Sequence, residues 1–499
     1  MAVVLLEAGC GVPSPPPPRP APVLVRRPPP LVTHGVAAGD VAPDRVVLWA
    51  RADRPSTLHA VVVGGGESRR ASAEVSEAHD DTGKITFEGL HPDTAYRYWM
   101  WFSDESSDQP TPGGASAGSF RTAPAPDADV ALTFGWSGDL GGLNACRDAR
   151  DGYPVFRTID GAKLDFFIGL GDMIYADMGC TAQGLYGNAQ IPTPVAASAT
   201  LRAYWAHWKY NREDSGLKRV MSSTSYYAVW DDHEVTNDFG PHDDWHGYPP
   251  YTIGAHLLPL GRRALLDYNP IHEDPVDPDR LYRSFRWGRE LHLVLLDTRS
   301  YRDANWERDS AEHPKTMLGS AQREWLEKEV TRSDATWKVV VSSVPISVPT
   351  GRGTPSAGHD GWAGYDLEVG YERELESIFE KFRDAHVRNL LWLTTDVHFA
   401  TGFAYHPFPE SPEFVVYEVT AGPLGAMLLP TQALDETFHP ERLFFFGPTH
   451  APQSFQDATR FMNWGRVALD RSGALTVSII GGDGREGAHR VLAPALLRR

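Results

Sequence analysis

The stretch Tyr226–Asp238 reads Tyr-Tyr-Ala-Val-Trp-Asp-Asp-His-Glu-Val-Thr-Asn-Asp, and it joins a short apolar run to a concentrated group of metal-binding side chains. Residues 226–229 have the apolar and aromatic character of a buried strand. Residues 230–238 hold four carboxylates, one imidazole and one amide. Carboxylate oxygens and neutral imidazole are the ligands that hard and borderline cations prefer. The pattern predicts a metal site at the end of a strand, and the alternative is an acidic loop in solvent.

Runs typical of strands alternate with runs typical of helices on both sides of this segment, from about residue 128 onward. Strands interleaved with helices predict a largely parallel or mixed sheet with both faces covered. Ligands of such sheets bind at the carboxyl ends of the strands, which is where acids and histidines recur in this chain. The predicted strands span residues 130–134, 164–170, 226–229, 291–296, 337–341, 390–393, 414–420, 467–469 and 475–480, and the predicted helices span residues 201–220, 320–332 and 372–386.

The segment before residue 123 carries signals for strands alone. Short apolar or alternating runs at residues 46–50, 60–63, 85–87 and 96–102 are separated by turn residues, and no helical period intervenes. That pattern predicts a small all-β sandwich. We therefore expect four parts, which are a signal remnant with a Pro-rich tether at 1–30, a β-sandwich domain at 31–123, an α/β domain at 128–483 and a C-terminal tail at 484–499.

The composition of the 499 residues limits the classes of function. The chain is 41% hydrophobic and 22% charged, which is typical of a globular protein. Its 47 basic and 65 acidic residues give a net charge of −18, which disfavours nonspecific nucleic-acid binding. An anionic substrate stays compatible with this charge, because bound cations reverse its sign locally. The three cysteines include no CxxC pair, which excludes a Cys-rich zinc site, and a disulfide between Cys146 and Cys180 is left open.

The N-terminal residues have features of an export signal. Small residues precede Cys10, as in a lipoprotein signal, although no basic segment comes before them and Glu7 interrupts the apolar run. The Pro-rich residues 11–30 that follow have the composition of an extended tether. We expect an exported protein, either periplasmic, secreted or held at the cell surface through Cys10. No stretch approaches the ~18 apolar residues of a transmembrane helix.

Four of the predicted strands end in side chains suited to a metal. Asp172 and Tyr175 are three residues apart and share a face if a helical turn begins there. Asp396 and His398 are two residues apart, which puts both side chains on one side of an extended chain. Each site alone has an ordinary alternative, such as a turn aspartate, a half-buried tyrosine or a histidine paired with its neighbour. Together they predict a multinuclear hydrolase site, whose candidate ligands are Asp139, Asp172, Tyr175, Asp232, His233, Asp396 and His398.

The order of these blocks resembles the PhoD-like alkaline phosphatase/phosphodiesterase family of calcineurin-like metallophosphoesterases. The blocks are residues 137–139, 171–175, 230–237, 296–302 and 396–398, and residues 34–40 with 46–49 are similar to the family's N-terminal β domain. The match covers about residues 31–480. The resemblance implies a four-layer α/β/β/α core, preceded by the β sandwich, that hydrolyses phosphate mono- or diesters.

The resemblance also implies a metal centre of iron, as Fe³⁺, with calcium. Carried over to this chain, the implied iron ligands are Asp172, Tyr175, Asp396 and His398, and the implied ligands of the remaining metal are Asp232 and His233. The chain departs from the family pattern at one position, where some members carry a cysteine ligand and this chain has Asp139. Cys146, seven residues later, is not equivalent. An aspartate makes the site harder, so manganese and zinc stay as alternative metals.

The expected reaction has no covalent nucleophile. A metal-bound hydroxide attacks phosphorus in line, with Asp172 as the ligand that bridges the metals. Arg299 is expected to stabilise the phosphoryl oxygens, and the alternative is a structural salt bridge to Asp297 or another acid. His233 either binds a metal or acts as a general acid toward the leaving group. The residues expected to support this site, as a turn cap or as neighbours of the ligands, are Asp231, Glu234, Asn237 and Asp238.

Two rival functions follow from the same sequence. One is a phospholipase D-like phosphodiesterase, in which Tyr204, Trp205, Trp208 and the loop 241–251 line a pocket for a larger diester. The other is a surface-tethered binding protein with an inert α/β domain, which predicts no loss of function when metals are removed. As an enzyme, the chain is expected to take a small phosphate mono- or diester as its partner and to bind no nucleic acid specifically.

Overall fold

The computed structural model describes residues 28–104, 115–351, 360–364 and 369–495. Most of the expected tether, including Cys10, and the last residues of the expected tail lie outside this part. The strands are β1 (Val32–Gly39), β2 (Arg45–Ala52), β3 (Ser56–Gly64), β4 (Glu67–Val75), β5 (Thr82–Glu88), β6 (Ala95–Ser103), β7 (Ser116–Arg121), β8 (Leu132–Ser137), β9 (Phe166–Leu170), β10 (Ser225–Val229), β11 (Arg283–Trp287), β12 (Leu291–Leu295), β13 (Trp337–Val341), β14 (Leu390–Thr394), β15 (Ala400–Tyr405), β16 (Val416–Thr420), β17 (Pro440–Phe446), β18 (Asn463–Leu469), β19 (Leu475–Gly481) and β20 (Glu486–Leu492). The helices are α1 (Val155–Asp160), α2 (Leu201–Arg212), α3 (Ser215–Ser223), α4 (Gly254–Tyr268), α5 (Gly319–Arg332), α6 (Glu372–Asp384) and α7 (Phe455–Thr459).

Two large sheets form the centre of the fold. The first has the order β20-β19-β18-β8-β9-β10-β1-β2-β5, and the second has the order β11-β12-β13-β14-β16-β15-β17. Strands β8, β9 and β10 are parallel neighbours in the first sheet, and β12, β13 and β14 are parallel neighbours in the second. The carboxyl ends of these strands therefore lie at one edge of each sheet.

Alternating side chains on the central strands separate four layers. Phe166 and Ile168 of β9 belong to the apolar cluster shared by the two sheets, whereas Phe167 packs with residues of α1 to α4. On β13, Val339 lies in the shared cluster and Val340 packs with α5 and α6. The period of two along each strand thus directs one face to the partner sheet and the other to helices. The arrangement is α/β/β/α, which confirms the predicted fold class.

The N-terminal β region is less separate than the sequence indicates. Strands β4, β3, β6 and β7 form a four-stranded sheet, but β1, β2 and β5 extend the first large sheet. Gly39 of β1 pairs in parallel with Tyr226 of β10, and a Cβ atom at Gly39 would lie 2.3 Å from the Tyr226 carbonyl oxygen. Only glycine permits that approach. Strands from both sides of the boundary expected at residue 123 therefore belong to the same large sheet.

The structure differs from the sequence expectations at two further elements, the C-terminal tail and one predicted helix. The expected tail begins too early at residue 484, because β20 pairs antiparallel with β19 as an edge strand. The helical run at 201–220 is two helices, and the Asp214 carboxylate caps the second by accepting bonds from the N–H groups of Gly216 and Leu217 at 2.8 and 2.9 Å. Among the described residues, every helix is too short or too polar to cross a membrane.

Candidate metal centre

The predicted acids directly follow the carboxyl ends of β8, β9 and β10 in the first sheet and of β14 in the second. Four of the predicted site residues have left-handed backbones, with φ angles of 58° at Asp139, 51° at Asp172, 78° at Asp396 and 60° at His398. Such angles are uncommon outside glycine and cluster at functional sites, because the surrounding structure must hold them in place. Gly171, with φ of 95°, starts the turn that brings Asp172 beside Asp231.

Carboxylates from three strand ends form one buried cluster. Ligand atoms of Asp172, Asp231, Asp232 and Asp396 lie within 4.8 Å of one another. A second group of this kind consists of Asp172, Asp232 and His233. A third consists of Asp232 with two further acids, Asp238 and Asp360. Sequence reasoning named Asp172, Asp232, His233 and Asp396, gave Asp231 a lesser role and missed Asp360. No strand pattern precedes Asp360, so the sequence around it carries no signal of this position.

The carboxylate cluster has the properties of a cation site. Burial, and then the negative charge of Asp232, raises the pKa of Asp172 well above its usual range. Burial, and then the negative charge of Asp231, likewise raises the pKa of Asp396 well above its usual range. The set holds more buried carboxylates than the guanidinium of Arg299 can balance, and unbalanced buried charge is costly, so the set fits bound cations. One carboxylate oxygen is buried without a hydrogen-bond partner on each of six aspartates at this site, which are Asp139, Asp172, Asp231, Asp232, Asp360 and Asp396.

A second group of donors lies beside this cluster. The Tyr175 hydroxyl is 3.0 Å from Nε2 of His398, and the same Nε2 is 3.8 Å from Oδ1 of Asp139. Nδ1 of His398 bonds to the carbonyl of Met427, which only accepts, so Nδ1 carries the proton and the lone pair of Nε2 faces the Tyr175 hydroxyl. Burial lowers the pKa of His398 to about 4, which keeps the imidazole in the neutral form that binds metals.

Local structure at two of the predicted pairs differs from the expectation. Residues 172–175 form no helical turn, yet Tyr175 reaches the site because its ring packs on Gly142, where a Cβ atom would lie 2.2 Å from the ring. Residues 395–399 lie between β14 and β15 and are not extended, so alternation does not apply there. Asp396 consequently joins the carboxylate cluster, while His398 faces Tyr175 and Asp139.

His233 is oriented by a carboxylate that the sequence analysis did not single out. Its Nδ1 lies 2.7 Å from Oδ1 of Asp177, and its ring stacks on Tyr175 with centroids 4.1 Å apart. Burial alone would lower the pKa of His233, but the charges of Asp177 and Asp232 outweigh it and raise the pKa to about 10. Asp177 lies two residues after Tyr175 in the same block, and this spacing was the available signal.

The Glu234 carboxylate joins two of the strand-end loops. It accepts hydrogen bonds from the N–H groups of Asp172 at 3.0 Å, Met173 at 2.8 Å and Asp231 at 2.8 Å. The residue is fully buried, and burial raises its pKa to about 8. By bonding to backbone on both sides, Glu234 holds the segment after β9 against the segment after β10, which fixes the separation of Asp172 and Asp231.

Arg299 makes buried ion pairs of the kind that the sequence left as an alternative. Its side chain has no solvent exposure, and it lies 2.6 Å from Asp231 through Nε and 2.9 Å from Asp360 through Nη1. Asp297 is not its ion-pair partner, since the Asp297 carboxylate accepts bonds from Trp230 Nε1 and from the backbone N–H of Arg299. The guanidinium is fully buried among carboxylates in this structure, and its expected contact with phosphate stays a prediction.

Four of the candidate ligands, Asp232, His233, Asp396 and His398, line a cleft of about 240 Å³, which we call the catalytic cleft. The aromatic residues considered for a larger pocket do not line it, because Tyr204, Trp205 and Trp208 are buried in the core between the first sheet and its helices. Residues of the loop 241–251 are also absent from its lining. The described residues that line the cleft are Leu143, Asp232, His233, Asn237, Asp238, Pro349, Thr350, Gly351, Asp396, Val397, His398, Leu429 and Gln432.

Comparisons with known proteins agree with this geometry. Alkaline phosphatase D of Bacillus subtilis (strain 168) is 27% identical, over 79% of this chain and 70% of its own length. A solved structure of PhoD superposes with a TM-score of 0.69 at 20% identity, covering 93% of this chain and 92% of that one. A purple acid phosphatase from yellow lupin (Lupinus luteus) seeds gives a TM-score of 0.60 at 12% identity, covering 93% and 74%. The last two matches show a shared fold.

Family models match both parts of the chain. The model for the N-terminal domain of PhoD-like phosphatases matches residues 20–124, and the model for the PhoD-like phosphatase itself matches residues 142–468, more than half of the sequence. The matched region contains the carboxylate cluster, Tyr175 and His398. The chain belongs to the PhoD-like phosphatase family and is a phosphoric ester hydrolase.

Proposed function

We propose that this protein hydrolyses small phosphate mono- and diesters in the catalytic cleft. The observation that carries the proposal is the group of Asp172, Asp231, Asp232 and Asp396, whose carboxylates converge from three strand ends, each with a buried oxygen that has no hydrogen-bond partner, and of which Asp232 and Asp396 line the cleft. Metal ions bound there lower the pKa of water and stabilise charge on phosphoryl oxygens. The residues proposed to hold them are Asp139, Asp172, Tyr175, Asp232, His233, Asp396 and His398, joined by Asp231.

We propose Fe³⁺ with Ca²⁺ as the metals, on the chemistry of the two donor groups. The iron ligands that the family resemblance implies, Asp172, Tyr175, Asp396 and His398, combine phenol, imidazole and carboxylate, a set suited to a strongly Lewis-acidic ion. Asp232 and His233 would hold the second metal, and the other carboxylates around Asp232 offer the oxygen ligands that suit Ca²⁺. Mn²⁺ and Zn²⁺ are the alternatives. Elemental analysis of the purified protein tests the assignment, and iron below one equivalent per chain contradicts it.

His233 is proposed either to bind a metal or to give a proton to the leaving alcohol, and its contact with Asp177 serves both roles by fixing the ring. The substitution His233→Asn separates them. Loss of bound metal supports the ligand role. Retained metal, with a rate loss that is larger for esters of poor leaving groups than for p-nitrophenyl esters, supports the acid role.

The reaction is tested with p-nitrophenyl phosphate and bis-p-nitrophenyl phosphate. We expect both to be hydrolysed, and we expect chelation or Asp172→Ala to abolish both activities. Asp277→Ala, in an exposed loop, is the matched control and should retain them. Unchanged activity in Asp172→Ala would contradict the proposal. A strong preference for the diester favours the phospholipase D-like alternative, and function that survives metal removal favours the surface-tethered binding protein.

We also propose that the protein works outside the cytoplasm. Cys146 and Cys180 are paired in a disulfide, and such bonds persist in oxidising compartments. The attachment through Cys10 falls outside the described residues and stays a prediction. Cell fractionation with mass analysis of the unreduced protein tests both points, and a cytoplasmic protein with free thiols contradicts the proposal.

A further inference from the structure

An apolar cavity of about 480 Å³ lies beside the catalytic cleft. Leu185, Tyr186, Leu428, Pro430 and Pro448 are among the residues that line it, and Thr449 and His450 supply polar atoms. Its lining continues into a small apolar cluster of Leu428, Ala458 and Met462, against which Tyr186 packs. Cavities of this size with mostly apolar walls are typical of sites for small organic groups.

One short segment, residues 427–430, contributes to the lining of both the cleft and the cavity. In the segment 427–430, Leu429 lines the cleft while its neighbours Leu428 and Pro430 line the cavity. The carbonyl of Met427 accepts the bond from Nδ1 of His398, so the same segment positions a candidate metal ligand. The cavity therefore lies next to the segment that orients His398.

Hydrogen bonds also connect the chain on the cleft side with the chain on the cavity side. Leu143 lines the cleft, and the carbonyl of the next residue, Asn144, accepts a bond from the N–H of Leu185 at 2.7 Å. The hydroxyl of Tyr186 accepts a bond from the N–H of Leu428 at 2.8 Å. These bonds fix the cavity wall relative to the cleft, as a specificity site for the same substrate requires.

The catalytic cleft is smaller than typical pockets for organic ligands, which hold about 300–1,000 Å³. It has room for a phosphoryl group and little else, whereas the adjoining cavity has twice the volume and apolar walls. We propose that the cavity binds an apolar organic group of the phosphoester, so that the enzyme prefers esters with an alkyl or aryl substituent of moderate size. This inference rests on the proposed function and specifies its substrate class.

The test uses the metal-loaded full chain and p-nitrophenyl alkyl phosphates with methyl, butyl and hexyl groups. These diesters share one leaving group and differ in apolar length alone. We expect kcat/KM to rise about fourfold for each methylene group that is buried, until the cavity is filled. Methyl-, butyl- and hexylphosphonate, which are not hydrolysed, should inhibit in the same order, which gives a readout independent of turnover.

Two variants assign the preference to the cavity. Leu185 is 47% exposed, so Leu185→Asp puts a charge at the cavity without removing core packing. Ala451→Trp, at an exposed position of the lining, fills the space. Both should reduce the preference for hexyl over methyl at least tenfold and leave the methyl ester within about twofold of wild type. Leu31→Asp, at a leucine that is 55% exposed and far along the chain, is the control and should keep the preference.

The outcomes separate this inference from the proposed function. Equal kcat/KM for all three esters in the wild type, or a hexyl preference that both cavity variants retain, overturns the inference alone. Failure of the metal-loaded wild type to hydrolyse any of these esters or p-nitrophenyl phosphate overturns the proposed function and the inference together.

Discussion

The buried ion pairs of Arg299 allow a sharp test, because the two roles weighed for this residue predict opposite results. Arg299→Met removes the guanidinium that contacts Asp231 at 2.6 Å and Asp360 at 2.9 Å, and it keeps most of the apolar volume. Removing one partner of a buried pair costs about 3–5 kcal/mol, because the remaining charges stay buried without compensation. We expect the free energy of unfolding of the metal-free protein to fall by about that amount.

Urea unfolding followed by tryptophan fluorescence measures the change, provided that the m value stays constant. Arg485→Met is the control, since its side chain is 80% exposed and its loss should cost less than about 0.5 kcal/mol. In the double variant with Asp360→Asn, the total cost should be about 1–3 kcal/mol less than the sum of the single costs. Bound cations stabilise the same carboxylates, so the loss should be smaller in metal-loaded protein.

The reasoning is refuted if Arg299→Met unfolds at the same urea concentration as the wild type. If stability is unchanged and the KM for p-nitrophenyl phosphate rises tenfold or more, Arg299 contacts phosphate after all. If stability falls and KM in the metal-loaded protein stays within about threefold, the ion-pair role holds.

Three further predictions concern residues around the site and the N-terminal region. Asp177→Asn should lower kcat/KM about 10- to 100-fold by releasing His233, and wild-type kinetics in this variant would count against a positioning role. Glu234→Gln presents an amide N–H₂ to backbone donors and should lower the free energy of unfolding by about 2–4 kcal/mol in urea, whereas a change under 0.5 kcal/mol would exclude the anchoring role. Burial opposes ionisation of Asp80, but hydrogen bonds, first from Arg51, outweigh it and lower its pKa. The ionised Asp80 therefore stabilises the fold above about pH 4, and this stabilisation is lost as the pH falls further. Asp80→Asn should lower the free energy of unfolding by about 1–2 kcal/mol at pH 7 and by progressively less below pH 4. A difference between variant and wild type that grows in acid would contradict this prediction.

Much of the fold was predictable because its signals are local. Each central strand is a short apolar run, and each helix has its own amphipathic period, so the order of elements can be read without knowing their contacts. The same locality placed Asp172, Asp232 and Asp396 at strand ends, and parallel strands bring their carboxyl ends together. Local signals could not predict how many strands each sheet contains. β1 joins the first large sheet by pairing with β10, which lies far along the chain.

The sequence by itself determined the four-layer class, the family and the strand ends that carry the metal-binding acids. Only the tertiary structure determines which side chain each charged group pairs with. Arg299 and Asp231 are 68 residues apart, and His233 and Asp177 are 56 residues apart, so no spacing rule connects them. Burial in a common low-dielectric region makes these pairings strong, and burial is a property of the assembled sheets and not of any one segment.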